Sequence, residues 1–368
     1  MPHPKQTPLV AALPKTVPFV GPETQERARG AAFRARLGAN ENVFGPSPKA
    51  IAAMADAAAD VWMYADPENH DLKAALAVHH GVSPDNIVVG EGIDALLGYL
   101  CRMYVAPDVA VVTSDGAYPT FNFHVAGYGG SLIKVPYRDD REDPDALLSA
   151  AAKAAARIIY IANPDNPMGT IHDAATMQAM IAAVPDDTLL ILDEAYGEFA
   201  TTPLPPLDVS RGNVIRFRTF SKAYGMAGAR VGYGIAHTDI ALAFNKIRNH
   251  FGMNRIAVAG AVAALADQDY LNAVLASVAA AGRRIAEIAG GVGLGVLPSA
   301  TNFVAIDCGR DGDFARAVLA SLIEQGVFVR MPFVAPQDRC IRISAGREAD
   351  LDILAEALPR AVATACGA

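Results

Sequence analysis

Arg157-Ile-Ile-Tyr-Ile-Ala162 and Thr188-Leu-Leu-Ile-Leu192 are two short, unbroken apolar runs, and the stretch between them, His172–Val184, reads as a helix. A strand with one wet face alternates apolar and polar side chains, whereas a strand covered on both faces stays apolar throughout. Two such runs joined by a helix form a β-α-β unit, in which the crossover makes the strands parallel. Each run ends on polar residues: Asn163-Pro-Asp-Asn166-Pro-Met-Gly169 after the first and Asp193-Glu-Ala-Tyr196 after the second. Open parallel sheets bind ligands at the carboxyl ends of their strands, so these tails are where function is to be sought.

The same pattern extends on both sides. Further strand candidates are Asn86–Val89, Val109–Thr113, Ser131–Pro136, Val214–Phe220 and Arg230–Ala236, with a helix at Asp145–Ala155. Beyond Thr238 long alanine-rich helices run to Ala289. A second set follows, with strands at Asn302–Ile306, Val327–Arg330 and Cys340–Ser344 and helices at Asp313–Gln325 and Glu348–Ala363. The expected fold class is α/β: a large, mostly parallel sheet domain sandwiched by helices, with a second, smaller α/β domain. The expected division is 1–45 as N-terminal arm and part of the small domain, 46–250 as the large cofactor-binding domain, and 251–368 as the small domain. Six prolines between Met1 and Pro22 predict an extended arm over the first ~25 residues, since proline disfavours helix interiors and central strands.

Composition narrows the class of function. Of 368 residues 52% are hydrophobic and 19% charged, enough for two cores sharing a cleft and too apolar for global disorder. No apolar run reaches the roughly 20 residues of a membrane helix, and the N-terminal stretch lacks the apolar core of a signal peptide. Cys101, Cys308, Cys340 and Cys366 lie far apart with no metal-ligand spacing, which predicts reduced thiols, no metal site and a cytoplasmic location. A net charge of −8 without a basic run argues against nucleic acid. A small-molecule enzyme is the expectation.

Five strand ends carry candidate chemistry: Gly90-Glu-Gly-Ile-Asp94, Ser114-Asp-Gly-Ala-Tyr118, Asn163–Gly169, Asp193–Tyr196 and Thr219-Phe-Ser-Lys222. Together they meet the needs of pyridoxal 5′-phosphate. Its aldehyde needs a lysine amine, and its ring nitrogen needs a carboxylate to stay protonated. Its phenolate oxygen needs donors, its ring an aromatic face, and its phosphate backbone amides and an arginine. Singly, each residue has a plainer reading: a solvated lysine, a turn aspartate or asparagine, a core tyrosine.

The stretch Ser221-Lys-Ala-Tyr-Gly-Met-Ala-Gly-Ala-Arg230-Val-Gly-Tyr resembles the lysine segment of fold-type I aminotransferases of class I/II, and Asn163–Gly169 and Asp193–Tyr196 resemble that family's other signatures. Leu37-Gly-Ala-Asn-Glu-Asn-Val-Phe-Gly-Pro-Ser-Pro48 and Tyr64-Ala-Asp-Pro67 resemble its histidinol-phosphate aminotransferase branch, and the likeness spans roughly residues 36–363. The resemblance implies that Lys222 is the Schiff-base lysine and catalytic base, and that Asp193 partners the ring nitrogen. Tyr196 and Asn166 would donate to the phenolate oxygen. Arg230, Thr219, Ser221 and the helix start at Gly92, Ile93 and Asp94 would hold the phosphate. Tyr118 would stack on the ring, with Phe121 as the second candidate. Tyr64 would reach the neighbouring subunit's phosphate, so a homodimer is implied. Arg342 would grip the substrate α-carboxylate as a planar fork. The implied reaction moves an amino group between an amino donor and a 2-oxo acid by ping-pong chemistry.

Other readings compete. Gly90-Glu-Gly-Ile-Asp-Ala95 fits a dinucleotide turn, with Asp115 about 20 residues on, as in an NAD(P)-dependent oxidoreductase. A decarboxylase of the same fold would share the cofactor residues, and a cofactor-binding regulatory domain is a third, non-catalytic reading. The histidinol-phosphate branch usually has a Pro-Pro-aromatic-Asn stretch where this chain has Arg248-Asn-His-Phe-Gly-Met-Asn254, and an acidic residue where it has Ala95. These departures predict that an α-amino acid, rather than histidinol phosphate, is the best donor, although Arg330 and Arg248 could still bind a phosphate.

Overall fold

The structure is a computed structural model and describes residues 4–15 and 20–367. Twelve strands among them are β1 (Ala35–Arg36), β2 (Ile87–Gly90), β3 (Ala110–Ser114), β4 (Ser131–Val135), β5 (Ile158–Ala162), β6 (Leu189–Asp193), β7 (Val214–Thr219), β8 (Gly232–Ala236), β9 (Gly295–Val296), β10 (Phe303–Asp307), β11 (Val327–Phe328) and β12 (Cys340–Ser344).

The large sheet has the order β2-β8-β7-β6-β5-β3-β4. β8 runs antiparallel to both its neighbours, while the pairs β7/β6, β6/β5, β5/β3 and β3/β4 are parallel. Every residue of β5 and β6 is buried, as the unbroken apolar runs require. Helices such as Gly92–Tyr104, Pro144–Ala154 and Ala174–Ala183 carry the chain between strands, and the sheet's parallel strands end on a common edge. The fold is α/β with a mostly parallel central sheet.

The C-terminal part builds an antiparallel sheet, β12-β10-β9; its helix Gly312–Glu324 packs against β12, and the helix Glu348–Gly367 packs against Gly312–Glu324 and the β1/β11 pair. β1, from near the N-terminus, pairs in parallel with β11, Ala35 opposite Val327 and Arg36 opposite Phe328. The N-terminal segment is therefore stitched to the C-terminal part, and residues 37–42 are led across the carboxyl edge of the large sheet.

The extended arm is corrected by two helices, Pro8–Ala12 and Pro22–Arg29. In both, proline opens the helix, where the lack of an N–H costs nothing and the fixed φ already suits a helical turn. At these two positions proline starts a helix rather than breaking one. Residues 4–7, 13–15 and 20–21 are non-helical, and residues 1–3 and 16–19 of the expected arm lie outside the described residues.

Among the described residues no helix is long and apolar enough to cross a membrane, and no cluster of metal-ligating side chains occurs. Cys101, Cys308 and Cys340 are buried free thiols, each pushed up to about 12 mainly by burial, and Cys366 is exposed.

Candidate active site

A cavity of about 300 Å³ opens at the carboxyl edge of the large sheet. Lys222, Asp193, Tyr196, Asn166, Tyr118, Thr219, Ser221, Arg230, Ile93, Asp94 and Arg342 all line it. Four parallel strands converge there because each delivers its last residue and following turn to the same edge.

Lys222 follows β7 and is half-buried; desolvation, helped by the charges of Arg342 and Arg230, pulls its ammonium down to about 8. Its Nζ donates to the carbonyl oxygen of Asn40 at 3.1 Å. Asp193 ends β6 and is buried, which pushes its carboxyl above the usual range. Two donors oppose that push: the Tyr160 hydroxyl at 2.7 Å from Oδ2 and the Ala195 amide at 2.9 Å from Oδ1. Tyr196 accepts a hydrogen bond from Asn40 Nδ2 at 2.9 Å, so its own hydroxyl hydrogen remains to be given.

Asn166 is presented by a folded loop. Asp165 accepts from the Met168 amide and the Tyr137 hydroxyl, both at 2.9 Å, which turns the next residue toward the cavity. The Asn166 side-chain oxygen accepts from Arg342 Nη1, leaving its NH₂ as a donor. Arg342 is pulled down to about 10, chiefly by burial, and its Nε is buried without a partner.

At the other end of the cavity Arg230 adopts a left-handed φ of 57° and donates to Ser221 Oγ at 3.3 Å. The helix Gly92–Tyr104 starts beside it, and Gly92 has φ +83° with a position whose Cβ would collide with the Arg230 guanidinium. A free helix N-terminus and a guanidinium facing each other form an anion cradle. The Thr219 hydroxyl is engaged by the Val231 carbonyl at 3.1 Å and accepts from the Ser221 amide at 3.0 Å, so it shapes this turn.

Other expected residues lie apart. Tyr64 is 76% exposed and outside the cavity, its ring 4.7 Å from that of Phe251. Phe121 is fully buried against Tyr160, so of the two aromatic candidates Tyr118 is the one that lines the cavity. Asp115 pairs with Lys134 at 3.4 Å and does not line the cavity, which leaves the dinucleotide reading without its acidic partner. Asn40, Tyr160 and Phe333 line the cavity without having been singled out. Asn40 lies within the Leu37–Pro48 motif; Tyr160, within an apolar run, carries no signal of its own.

The family profile of Aminotransferase class I and II matches residues 35–358. The chain belongs to the class I and II aminotransferases. Among its relatives is the histidinol-phosphate aminotransferase of Moorella thermoacetica, 34% identical over 348 residues, covering 93% of this chain and 89% of that protein. The crystal structure of histidinol-phosphate aminotransferase from Sinorhizobium meliloti in complex with pyridoxal-5′-phosphate superposes with a TM-score of 0.96 at 55% identity, over 98% of both chains. Aspartate aminotransferase from Thermus thermophilus shares the fold, with a TM-score of 0.83 at 20% identity over 98% of this chain and 100% of that one.

As an aminotransferase of the histidinol-phosphate-aminotransferase-like branch, the chain depends on pyridoxal 5′-phosphate and moves an amino group between an amino donor and a 2-oxo acid. Neither the decarboxylase nor the NAD(P)-dependent reading finds support among these relatives. The cavity fits the cofactor on its own terms. It offers a half-buried amine of lowered basicity, a buried carboxylate in the same lining, and a cationic pole where a Cβ on Gly92 would fill the cradle.

Proposed function

We propose that this aminotransferase takes histidinol phosphate as amino donor and a 2-oxo acid as acceptor, and that it works as a homodimer. The observation that carries the donor is the Arg330–Arg342 pair. The two residues face each other in an antiparallel bridge, the backbone amide of Arg342 donating to the Arg330 carbonyl at 2.6 Å. Directly opposed residues in such a bridge project to the same side, and both line the cavity. A phosphate dianion has charge and oxygens for two guanidiniums, while a carboxylate is satisfied by one fork. The pair therefore suits a donor ending in phosphate and an acceptor ending in carboxylate, bound in turn. The names of the relatives point the same way.

The expectation of a different donor rested on Ala95, which lies outside the cavity lining, and on Arg248–Asn254. No residue of that segment lines this chain's cavity; Arg248 donates to the Pro67 carbonyl at 2.7 Å, and Gly252 abuts the Glu91 carboxylate. The departure there removes no residue from the lining of this chain's own cavity.

Bound pyridoxal phosphate supplies an electron sink next to the substrate α-carbon. Asp193 would hold the proton on the ring nitrogen. Lys222, once displaced by the donor's amine, would take the proton from the α-carbon and return it to the cofactor. Its lowered basicity leaves a substantial fraction neutral near pH 8, as a base requires. Tyr196 and Asn166 would donate to the phenolate oxygen. Ser221, Arg230 and the amides of Gly92, Ile93 and Asp94 would hold the phosphate, with Thr219 shaping their turn. Tyr118 would cover the ring.

Trp62, 79% exposed, lies close in sequence to Tyr64, and with Phe251 they give an apolar surface of the kind that a second copy covers. In that dimer Tyr64 would reach the neighbouring cofactor phosphate. The division into 1–45, 46–250 and 251–368 and a cytoplasmic location belong to the same reading.

Steady-state kinetics test the donor. Histidinol phosphate should exceed glutamate, phenylalanine, tyrosine and histidine in kcat/KM by about tenfold or more, ~1.4 kcal/mol of transition-state discrimination. Arg330→Ala should lower turnover of histidinol phosphate more than that of a carboxylate donor. A better donor among the four amino acids would overturn the proposal.

A further inference from the structure

We propose that Tyr160 is a positioning residue for Asp193, holding that carboxylate ionised and aimed at the cofactor's ring nitrogen. The inference rests on the assignment of Asp193 made above and adds a residue that assignment does not contain.

The geometry is specific. Tyr160 lies in β5 and Asp193 at the end of β6; the strands are parallel neighbours with Ala162 opposite Asp193. That register places the Tyr160 hydroxyl 2.7 Å from Asp193 Oδ2. The Tyr160 ring is fully buried and stacked on Phe121, with centroids 4.6 Å apart and planes 14° from parallel. Phe121 comes from the helix Pro119–Gly127, so a second element locks the ring in place. Tyr160 also lines the cavity, together with Asp193 and Lys222.

The chemistry follows from burial. A carboxylate removed from water loses its ionised form unless donors replace the water. Asp193 has two such donors, one on each oxygen: Tyr160 and the Ala195 amide. Each oxygen keeps a second lone pair, so the carboxylate can still accept the ring-nitrogen proton. The Tyr160 phenol keeps its own proton because burial pushes it well above the ordinary range, with the Asp193 charge adding to the effect. It therefore serves as a donor throughout. A phenylalanine here would keep the ring and its stacking and lose the donor alone.

The test compares two ligands binding to the apoprotein: pyridoxal phosphate, and its 1-deaza analogue with carbon in place of the ring nitrogen. Tyr160→Phe should raise the dissociation constant of pyridoxal phosphate about tenfold, the effect of losing a hydrogen bond to a charged group. It should change that of the analogue less than about twofold, because Asp193 has no ring-nitrogen proton to meet there. Equal weakening of both ligands, or no weakening of pyridoxal phosphate, would overturn the proposal. Asp193→Asn separates the two levels of the argument. If it too fails to discriminate between the ligands, the assignment of Asp193 falls and this proposal with it. If it discriminates and Tyr160→Phe does not, Tyr160 alone is misassigned. The ¹⁵N shift of ring-labelled cofactor should also move in the Tyr160→Phe protein, which a purely structural role would leave unchanged.

Discussion

Lys222 Nζ donates to the main-chain carbonyl of Asn40 across 182 positions of sequence. Asn40 sits at φ 55°, its amide nitrogen bonded to Ser344 Oγ at 3.0 Å and its side chain to Tyr196 at 2.9 Å. One residue of the N-terminal segment thus ties the lysine, the tyrosine and the C-terminal sheet together.

Because burial brings the Lys222 ammonium down from the ordinary 10.5 to about 8, its nucleophilic neutral form prevails above that pH. Capture of pyridoxal phosphate by the apoprotein should accelerate as pH rises and level off above about 8. Stopped-flow absorbance across pH 6 to 11 gives the profile, and borohydride reduction with peptide mapping should label Lys222. A plateau reached only above pH ~10 would mean a solvated lysine.

Gly92→Ala should weaken cofactor binding at least tenfold while leaving the protein folded. Its φ of +83° costs a non-glycine residue about 1–2 kcal/mol. The added Cβ would also push the Arg230 guanidinium from the phosphate cradle. Fluorescence titration of the apoprotein measures the effect, and an unchanged affinity would dismiss the cradle.

Mixing Lys222→Ala chains with Tyr64→Phe chains tests the shared dimer. If Tyr64 acts across the interface, one site of each hybrid has both Lys222 and Tyr64 and the other has neither. Hybrids should then recover about half the wild-type activity per dimer, if the two sites act independently. Activity no higher than that of the Tyr64→Phe homodimer would argue that Tyr64 serves no neighbouring site.

Glu194, fully buried next to Asp193, pairs with Arg216 at 2.5 Å and Arg218 at 3.0 Å. Glu194→Gln would leave these guanidiniums without their counter-charge, so denaturant unfolding should show a loss of about 3–5 kcal/mol. A loss below ~1 kcal/mol would mean that water reaches the pair.

The local pattern of the chain determined the layered α/β fold and the edge that carries the site. Unbroken apolar runs can be strands only where both faces are covered, and that condition is written in consecutive residues such as Ile158–Ala162. Lys222, Asp193, Asn166, Tyr196 and Arg230 were legible because each sits in a turn whose polar composition stands out beside an apolar strand. Tertiary structure decided what depends on pairing between distant segments. Tyr160 reads as one more core side chain until the β5–β6 register sets its hydroxyl against Asp193. Arg330 and Arg342 become a single binding device only through the bridge that faces them the same way. Asn40 reaches Lys222 because β1 pairs with β11 and brings its segment across the sheet edge. Periodicity is a property of neighbours along the chain, whereas register is chosen by the whole packed molecule; side chains that converge through register leave no local trace.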